Sequence, residues 1–313
     1  MAATTESVTE DIDLSGQTAL VTGASSGLGM ECARVLALRG ATVLLACRNG
    51  DKAQRVVDGF VESIGAAAAA RCRVEVCDLA DKASVAGMVA RLVEAGVQLD
   101  IVHLNAGVFG LPFELTDDGF ERTFAANYIG HFLIVHGLLT GGSLAPGCRI
   151  IATQSEGGYK NPMAKVDLEM LAHADSAPRF LAGYKASPNS KVLLLLMMLE
   201  LRRRFGGMAP APFTFNAADP GATLTDNVNQ LGPVVGALSR PFSSMLFKPV
   251  EAGAAILLWL ATSDEVADQN GELFVRGFRT HPIPKKFRDA EVATKAWQTT
   301  ETLLGLQPLA EAP

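Results

Sequence analysis

Thr22-Gly23-Ala24-Ser25-Ser26-Gly27-Leu28-Gly29 is the stretch that decides the fold. It follows the apolar run Thr18 to Val21 and opens a segment with helical spacing, so it predicts a strand, a tight turn and a helix. Glycines at such a turn let the backbone bend sharply and let a pyrophosphate come close. The unpaired N–H groups of the first helical turn then face the anion. The spacing, Gly-x-x-x-Gly-x-Gly, differs from the general dinucleotide fingerprint Gly-x-Gly-x-x-Gly, so an ordinary tight βα turn stays open until the rest of the chain is read.

Outward from this turn, strand patterns near 18–22, 42–47, 73–77, 99–104, 147–153, 212–217 and 272–275 alternate with helical patterns near 27–39, 51–64, 81–95, 117–139, 188–205 and 250–262. That alternation predicts an α/β fold: a single Rossmann-type, doubly wound parallel sheet with helices on both faces. The expected organisation is a flexible N-terminal tail over 1–14, one domain over 15–280 and a C-terminal extension with a helix over 281–313. The alanine run Ala66 to Ala70 is expected to fray a helix into a loop. Two connections, 156–187 and 222–248, are longer than compact domains usually tolerate. The second carries Leu231, Val234, Val235, Leu238, Phe242, Met245, Leu246 and Phe247, which suits a lid over an apolar ligand or a contact with another subunit.

Composition excludes several function classes. With 313 residues, 49% apolar content and a net charge of -6, the chain can build a large core but presents no basic footprint for nucleic acid. Arg202-Arg203-Arg204 is expected to end a helix. The cysteines Cys32, Cys47, Cys72, Cys77 and Cys148 form no Cys-x-x-Cys pair and lie mostly in apolar runs, which implies reduced thiols and a cytoplasmic location. The first residues lack the basic and apolar regions of a signal peptide, and the longest apolar run, Val192 to Leu199, is far short of the roughly 20 residues that span a bilayer. His103, His131 and His136 have no carboxylate or cysteine at ligand spacing, so no metal is expected.

The strand ends carry the second set of signals. Ala46-Cys47-Arg48 puts an arginine where an NAD-binding protein usually has an acidic residue on the ribose 2′-hydroxyl, which points to a 2′-phosphate and hence to NADP(H). Asp78-Leu79 suits the adenine, and Asn105-Ala106-Gly107 is small enough for close backbone approach to a cofactor.

Taken together, the Thr-Gly-x-x-x-Gly-x-Gly turn (Gly23, Ser25, Ser26, Gly27, Leu28 and Gly29), Asp78-Leu79, Asn105-Ala106-Gly107, Asn127 and Pro220-Gly221 with Thr223 resemble the short-chain dehydrogenase/reductase family over roughly residues 16–280. Within it, Asn127-Tyr128-Ile129-Gly130-His131-Phe132-Leu133 and the tail from Asp289 through Trp297 to Leu306 resemble the retinol dehydrogenase and light-dependent protochlorophyllide reductase branch. The resemblance implies an NADP-dependent oxidoreductase acting on a carbonyl or conjugated double bond of a bulky apolar small molecule. It leaves the oligomeric state open, with a homo-oligomer paired through the helices that contain Asn127 and Tyr184 as one arrangement the resemblance offers. The family tetrad carries over as Ser155 to hydrogen-bond the substrate carbonyl, Tyr184 to donate the proton and Asn127 to support a water-linked relay. Tyr159-Lys160 is expected to be a loop pair, with Tyr159 the first alternative donor should Tyr184 not serve.

The lysine departs from the family pattern Tyr-x-x-x-Lys, because Tyr184-Lys185-Ala186-Ser187 is followed by Pro188. In one reading Pro188-Asn189-Ser190 is an insertion, Ser187 caps a helix with Pro188 at its first position, and Lys191 takes the lysine role. On one continuous helix Lys191 would lie about 10.5 Å along the axis from Tyr184, so that reading needs the helix to begin after Tyr184. In the other, the lysine is lost and the chain is a reworked member or a silent NADPH-binding protein. A protochlorophyllide-reductase-like enzyme is the remaining alternative, weakened by Ala222 after Pro220-Gly221, where that enzyme typically has a cysteine.

Overall fold

The parallel strands β1 (Thr18–Thr22), β2 (Thr42–Cys47), β3 (Cys72–Val76), β4 (Leu99–Leu104), β5 (Leu144–Thr153), β6 (Thr214–Ala218) and β7 (Leu273–Val275) form a sheet closed by a short antiparallel β8 (Arg279–Thr280). Its order is β3-β2-β1-β4-β5-β6-β7-β8. The computed structural model describes residues 3–161, 164, 166, 179–207, 212–223 and 248–309, the side chains of 179–185 excepted.

Helices cover both faces. They are α1 (Gly27–Leu38), α2 (Gly50–Ile64), α3 (Ala66–Ala69), α4 (Lys82–Glu94), α5 (Arg122–Phe124, Ala125–Ile129 and Gly130–Thr140 in succession), α6 (Glu156–Tyr159), α7 (Arg179–Phe205), α8 (Val250–Thr262) and α9 (Ala290–Leu304). Strand residues alternate between two cores, as a period of two requires. Leu20, Val102 and Leu104 join Met88, Phe124, Leu193 and Trp297, while Ala19, Val21 and Ile101 join Val35, Phe60 and Leu257. Burial on both faces explains why β6 is buried at every position.

Local signals set most helix ends. Asn49 caps α2 by accepting from Lys52 N, Asp81 caps α4 by accepting from Ala83 N and Ser84 N, and Gly305 closes α9 in the left-handed conformation. Helix α1 differs: its N-cap, Ser26, makes no side-chain hydrogen bond to the first turn.

Three expectations need correction. Helix α7 does not start at Pro188; it begins at Arg179 and runs through the proline, so Ser187 is no cap. The N-terminal residues are docked rather than loose: Thr5, Thr9 and Leu14 are buried, Thr5 N donates to Glu251 O, and Arg34 binds both Glu6 and Glu31. Ala66–Ala69 forms a helical turn of its own. Helix α9 packs on α5, where Trp297 lies on Phe132 with ring centroids 4.5 Å apart and Tyr128 bonds Thr300. The lid expected over 222–248 lies outside the described residues except for 222, 223 and 248. No helix among the described residues is long and apolar enough to cross a membrane.

A proline inside a helix removes the bond to residue i−4, here the Tyr184 carbonyl, at a cost of about 3 kcal/mol or more. Pro188→Ala is therefore expected to stabilise the protein by ~2 kcal/mol, after subtracting the proline's restriction of the unfolded chain. Urea unfolding checks this, and an unmoved midpoint would mean that the helix starts at Pro188.

Candidate active site

Because the strands are parallel, their carboxyl ends open along one edge of the sheet, and a cleft of about 520 Å³ runs there. It starts at Arg48, Asn49 and Lys52, passes the turn Gly23 to Leu28, and reaches Ser155, Ser187, Lys191 and Asp219. Gly23 has φ +67°, and a Cβ on it would lie 3.0 Å from Ala106 Cα. A Cβ on Gly29 would lie 2.4 Å from Asn105 Nδ2. The first glycine shapes the turn; the second, outside the lining, lets α1 close on β4.

Thr22 ties the two halves of this floor together. Its Oγ1 accepts from Asn105 N (2.9 Å) and Ala106 N (3.0 Å), and Asn105 Nδ2 donates to Thr22 O (2.9 Å). The same hydroxyl meets His131 Nε2 at 2.9 Å, while His131 Nδ1 lies 3.0 Å from Asn127 O. A carbonyl can only accept, so Nδ1 carries the proton and Thr22 donates to Nε2. Burial first, and then the Lys191 cation, push His131 and His103 down to about 3, so both rings are neutral near pH 7.

Asn127 sits in the π-type turn Ala125–Ile129 of α5. Its Oδ1 accepts from Val108 N (2.7 Å), and its Nδ2 donates to Val108 O and Ser190 Oγ (both 3.0 Å). It thus clamps the segment after Asn105-Ala106-Gly107 to α7. Lys191, 9% exposed, donates from Nζ to Thr153 O (2.7 Å), and its own carbonyl accepts from Gln154 Nε2 (3.1 Å). Burial pushes its ammonium down to about 8, with Asp219 pulling it partly back. Ser155 is exposed to the cleft and accepts from Gly157 N at 3.3 Å.

The structure brings Ser155, Asn127 and Lys191 together. Tyr184 lies two turns before Lys191 on the continuous α7, and its side chain is outside the described residues. One turn before Lys191 stands Ser187. Tyr159 is not in a loop: it ends α6, is 2% exposed and donates its hydroxyl to Asp219 Oδ2 (2.8 Å). Asp219 Oδ1 in turn accepts from Gly221 N (2.7 Å), which bends the chain around Pro220. Thr223 Oγ1 donates to Gly221 O (3.0 Å).

At the other end, Asp78 Oδ1 accepts from Ala80 N (3.0 Å), holding Leu79 at the cleft wall. Lys52 and Asn49 join Arg48 there. Sequence reasoning passed over Lys52, although its place in the first turn after β2 was a usable signal. It also passed over Ser187 and Asp219, whose signals were helix register relative to Lys191 and adjacency to Pro220. Fit to a dinucleotide rests on three observations: a glycine cradle that a Cβ would fill, the α1 N-terminus without a side-chain cap, and cations beyond β2.

Residues 17–167 match the family model described as short chain dehydrogenase. Human retinol dehydrogenase 13 is 32% identical over 93% of this chain and 86% of its own length. The WW domain-containing oxidoreductase of Danio rerio is 32% identical over 93% of this chain and 69% of its length. Among solved structures, an uncharacterized protein from Mycobacterium paratuberculosis superposes with a TM-score of 0.73 at 27% identity, covering 99% of this chain and 100% of that one. A short chain dehydrogenase from Burkholderia cenocepacia, crystallised in complex with NADP, gives a TM-score of 0.61 at 28% identity, covering 84% and 96%.

Arg48 offers a bidentate donor pair to a phosphate, and Lys52 adds a second positive charge. NADPH is expected to bind more tightly than NADH, and Arg48→Asp to invert the order. Fluorescence titration with both dinucleotides checks this; equal affinities in the unaltered protein would refute it.

Proposed function

The chain belongs to the short-chain dehydrogenase/reductase family, and from that premise we propose that it uses NADPH to reduce the carbonyl, or a conjugated double bond, of a bulky apolar molecule. The observation that carries this reading is the continuity of one cleft from Arg48 and Lys52, over the glycine turn, to Ser155 and Lys191. Bound NADPH would supply the hydride.

The protein's own residues do the rest. Arg48 and Lys52 would hold the 2′-phosphate, the α1 N-terminus the pyrophosphate, and Asp78 with Leu79 the adenine end. Lys191 would bind the nicotinamide ribose and raise the positive potential over the reacting oxygen. Ser155 would donate to that oxygen as negative charge develops on it. Asn127 acts as a positioning residue, because its side chain is spent on Val108 and Ser190; its backbone carbonyl, already bonded to His131, retains a lone pair for the water-linked relay that the resemblance implies.

Apolar substrate preference is supported by two relatives named for retinol, from human and mouse. The five free, buried cysteines suit a reducing compartment such as the cytoplasm. A specific observation favours a second reading: Ser187, not a tyrosine, stands one turn before Lys191, which suits a silent NADPH-binding protein.

NADPH oxidation is measured against a panel of apolar aldehydes, ketones and quinones that includes all-trans-retinal. Turnover is expected, and Ser155→Ala should lower it by about 10²–10³ while leaving NADPH affinity in place. Tight NADPH binding with no turnover across the panel would favour the silent binder.

A further inference from the structure

A reduction needs a proton as well as a hydride, and two of the tyrosines are committed elsewhere. The chain has three. Tyr128 is buried and bonded to Thr300 on the α9 side of α5. Tyr159 gives its hydroxyl proton to a hydrogen bond with Asp219, and burial together with that carboxylate raises its phenol well above the ordinary range. Tyr184 lies seven residues before Lys191 on one helix, a separation of about 10.5 Å along the axis. The buried histidines are neutral.

What the cleft does present, on one face of α7 and one turn apart, is Ser187 and Lys191. That turn is rigidly held: Ser190 Oγ donates to Ser187 O (2.7 Å), Asn127 Nδ2 donates to Ser190 Oγ, and Gln154 grips the Lys191 carbonyl. Resting on the reductase reading above, the geometry points to the Ser187–Lys191 pair as the proton source of this site, with Lys191 the acid and the Ser187 hydroxyl the relay.

The step balances. As hydride adds to the carbonyl carbon, the C=O π pair moves onto oxygen, and that oxygen takes the Ser187 Oγ proton. Oγ takes a proton from Lys191 Nζ in the same movement. The products are the alcohol, the oxidised dinucleotide, an intact serine and a neutral lysine, which takes a proton from solvent entering the open cleft. An ammonium that titrates at about 8 is well matched to donating near neutrality. The groups that face it are Asp219 from the end of β6, His103 from β4, His131 from α5, and the uncharged Thr153 and Asn127. Of these, Asp219 is the one that favours the charged lysine, and burial raises its own carboxyl.

Two measurements test the assignment. In the first, the cofactor-free protein is labelled with [ε-¹³C]lysine, and the Lys191 signal is identified by its loss in Lys191→Met. It should titrate near pH 8 and lower still in Asp219→Asn, because the carboxylate that favours the charged form is gone. Titration in the ordinary lysine range, near 10.4, would overturn the proposal.

In the second, NADPH oxidation with all-trans-retinal is followed against pH. The acid form must be charged, so kcat should be flat below about 8 and fall above it. Ser187→Ala should lower kcat by about 10² with the Kd for NADPH unchanged, and Ser187→Thr, which keeps the hydroxyl, should recover most of the loss. Full kcat in Ser187→Ala, or a Tyr184→Phe protein that falls as far as Lys191→Met, would overturn the proposal alone. A wild-type protein that binds NADPH but oxidises it with no carbonyl on the panel would overturn the reductase reading, and the proposal with it.

Discussion

One hydroxyl, Thr22 Oγ1, holds the functional edge of the sheet together. Both of its lone pairs accept backbone N–H groups from the end of β4, and its single proton goes to His131 on α5. Of these partners His131 Nε2 is buried while Asn105 N and Ala106 N are part-buried, and leaving a buried polar group unpaired costs roughly 1–3 kcal/mol. The tie presses Ala106 against Gly23, so the phosphate turn and the nicotinamide end of the cleft share one floor. Through His131 it also sets the carbonyl of Asn127, and through Asn127 it reaches Ser190 on α7. The active site is thus a chain of obligatory hydrogen bonds that begins at the last residue of β1.

Burying Lys191 is the principal electrostatic cost in this arrangement. An ammonium removed from water is disfavoured unless it finds partners, and the Thr153 carbonyl and the Asp219 carboxylate supply them. Space for the side chain comes from two glycines. A Cβ on Gly158 would lie 2.8 Å from Lys191 Cβ, and one on Gly107 would lie 3.4 Å from Nζ. Asp219 is itself constrained, since one oxygen bends the chain around Pro220 and the other holds Tyr159. The cation is consequently fixed in place and easily deprotonated, two properties that follow from the same burial.

The C-terminal helix bears on the site from behind. α9 lays Trp297 between Phe132 of α5 and the Arg204 guanidinium of α7, and Glu200 of α7 accepts from Thr294. His136 of α5 also reaches the Gln307 carbonyl beyond α9. The two helices that carry Asn127 and Lys191 are therefore braced against a third, and fixing their separation fixes the distance between those residues.

Element order, the parallel sheet and the carboxyl-edge location of the site were all legible in the sequence, because they rest on local signals. Apolar periodicity marks strands and helices, and a parallel sheet gathers Gly23, Arg48, Asp78, Asn105, Ser155 and Pro220 along one edge without further information. Lys191, which lines the cleft, was legible as a candidate for the displaced lysine. The start of α7 was not: Ser187-Pro188 has the local form of a helix beginning, yet the residues around it, Ala186, Asn189 and Ser190, are buried in the tertiary structure, and the helix continues upstream. Only that continuity puts Tyr184 two turns from the lysine, because a helix fixes the spacing of every residue it contains. Likewise the polar N-terminal residues gave no local sign of order, since their partners Glu31, Arg34 and Glu251 are distant in sequence and meet them only after the sheet has formed.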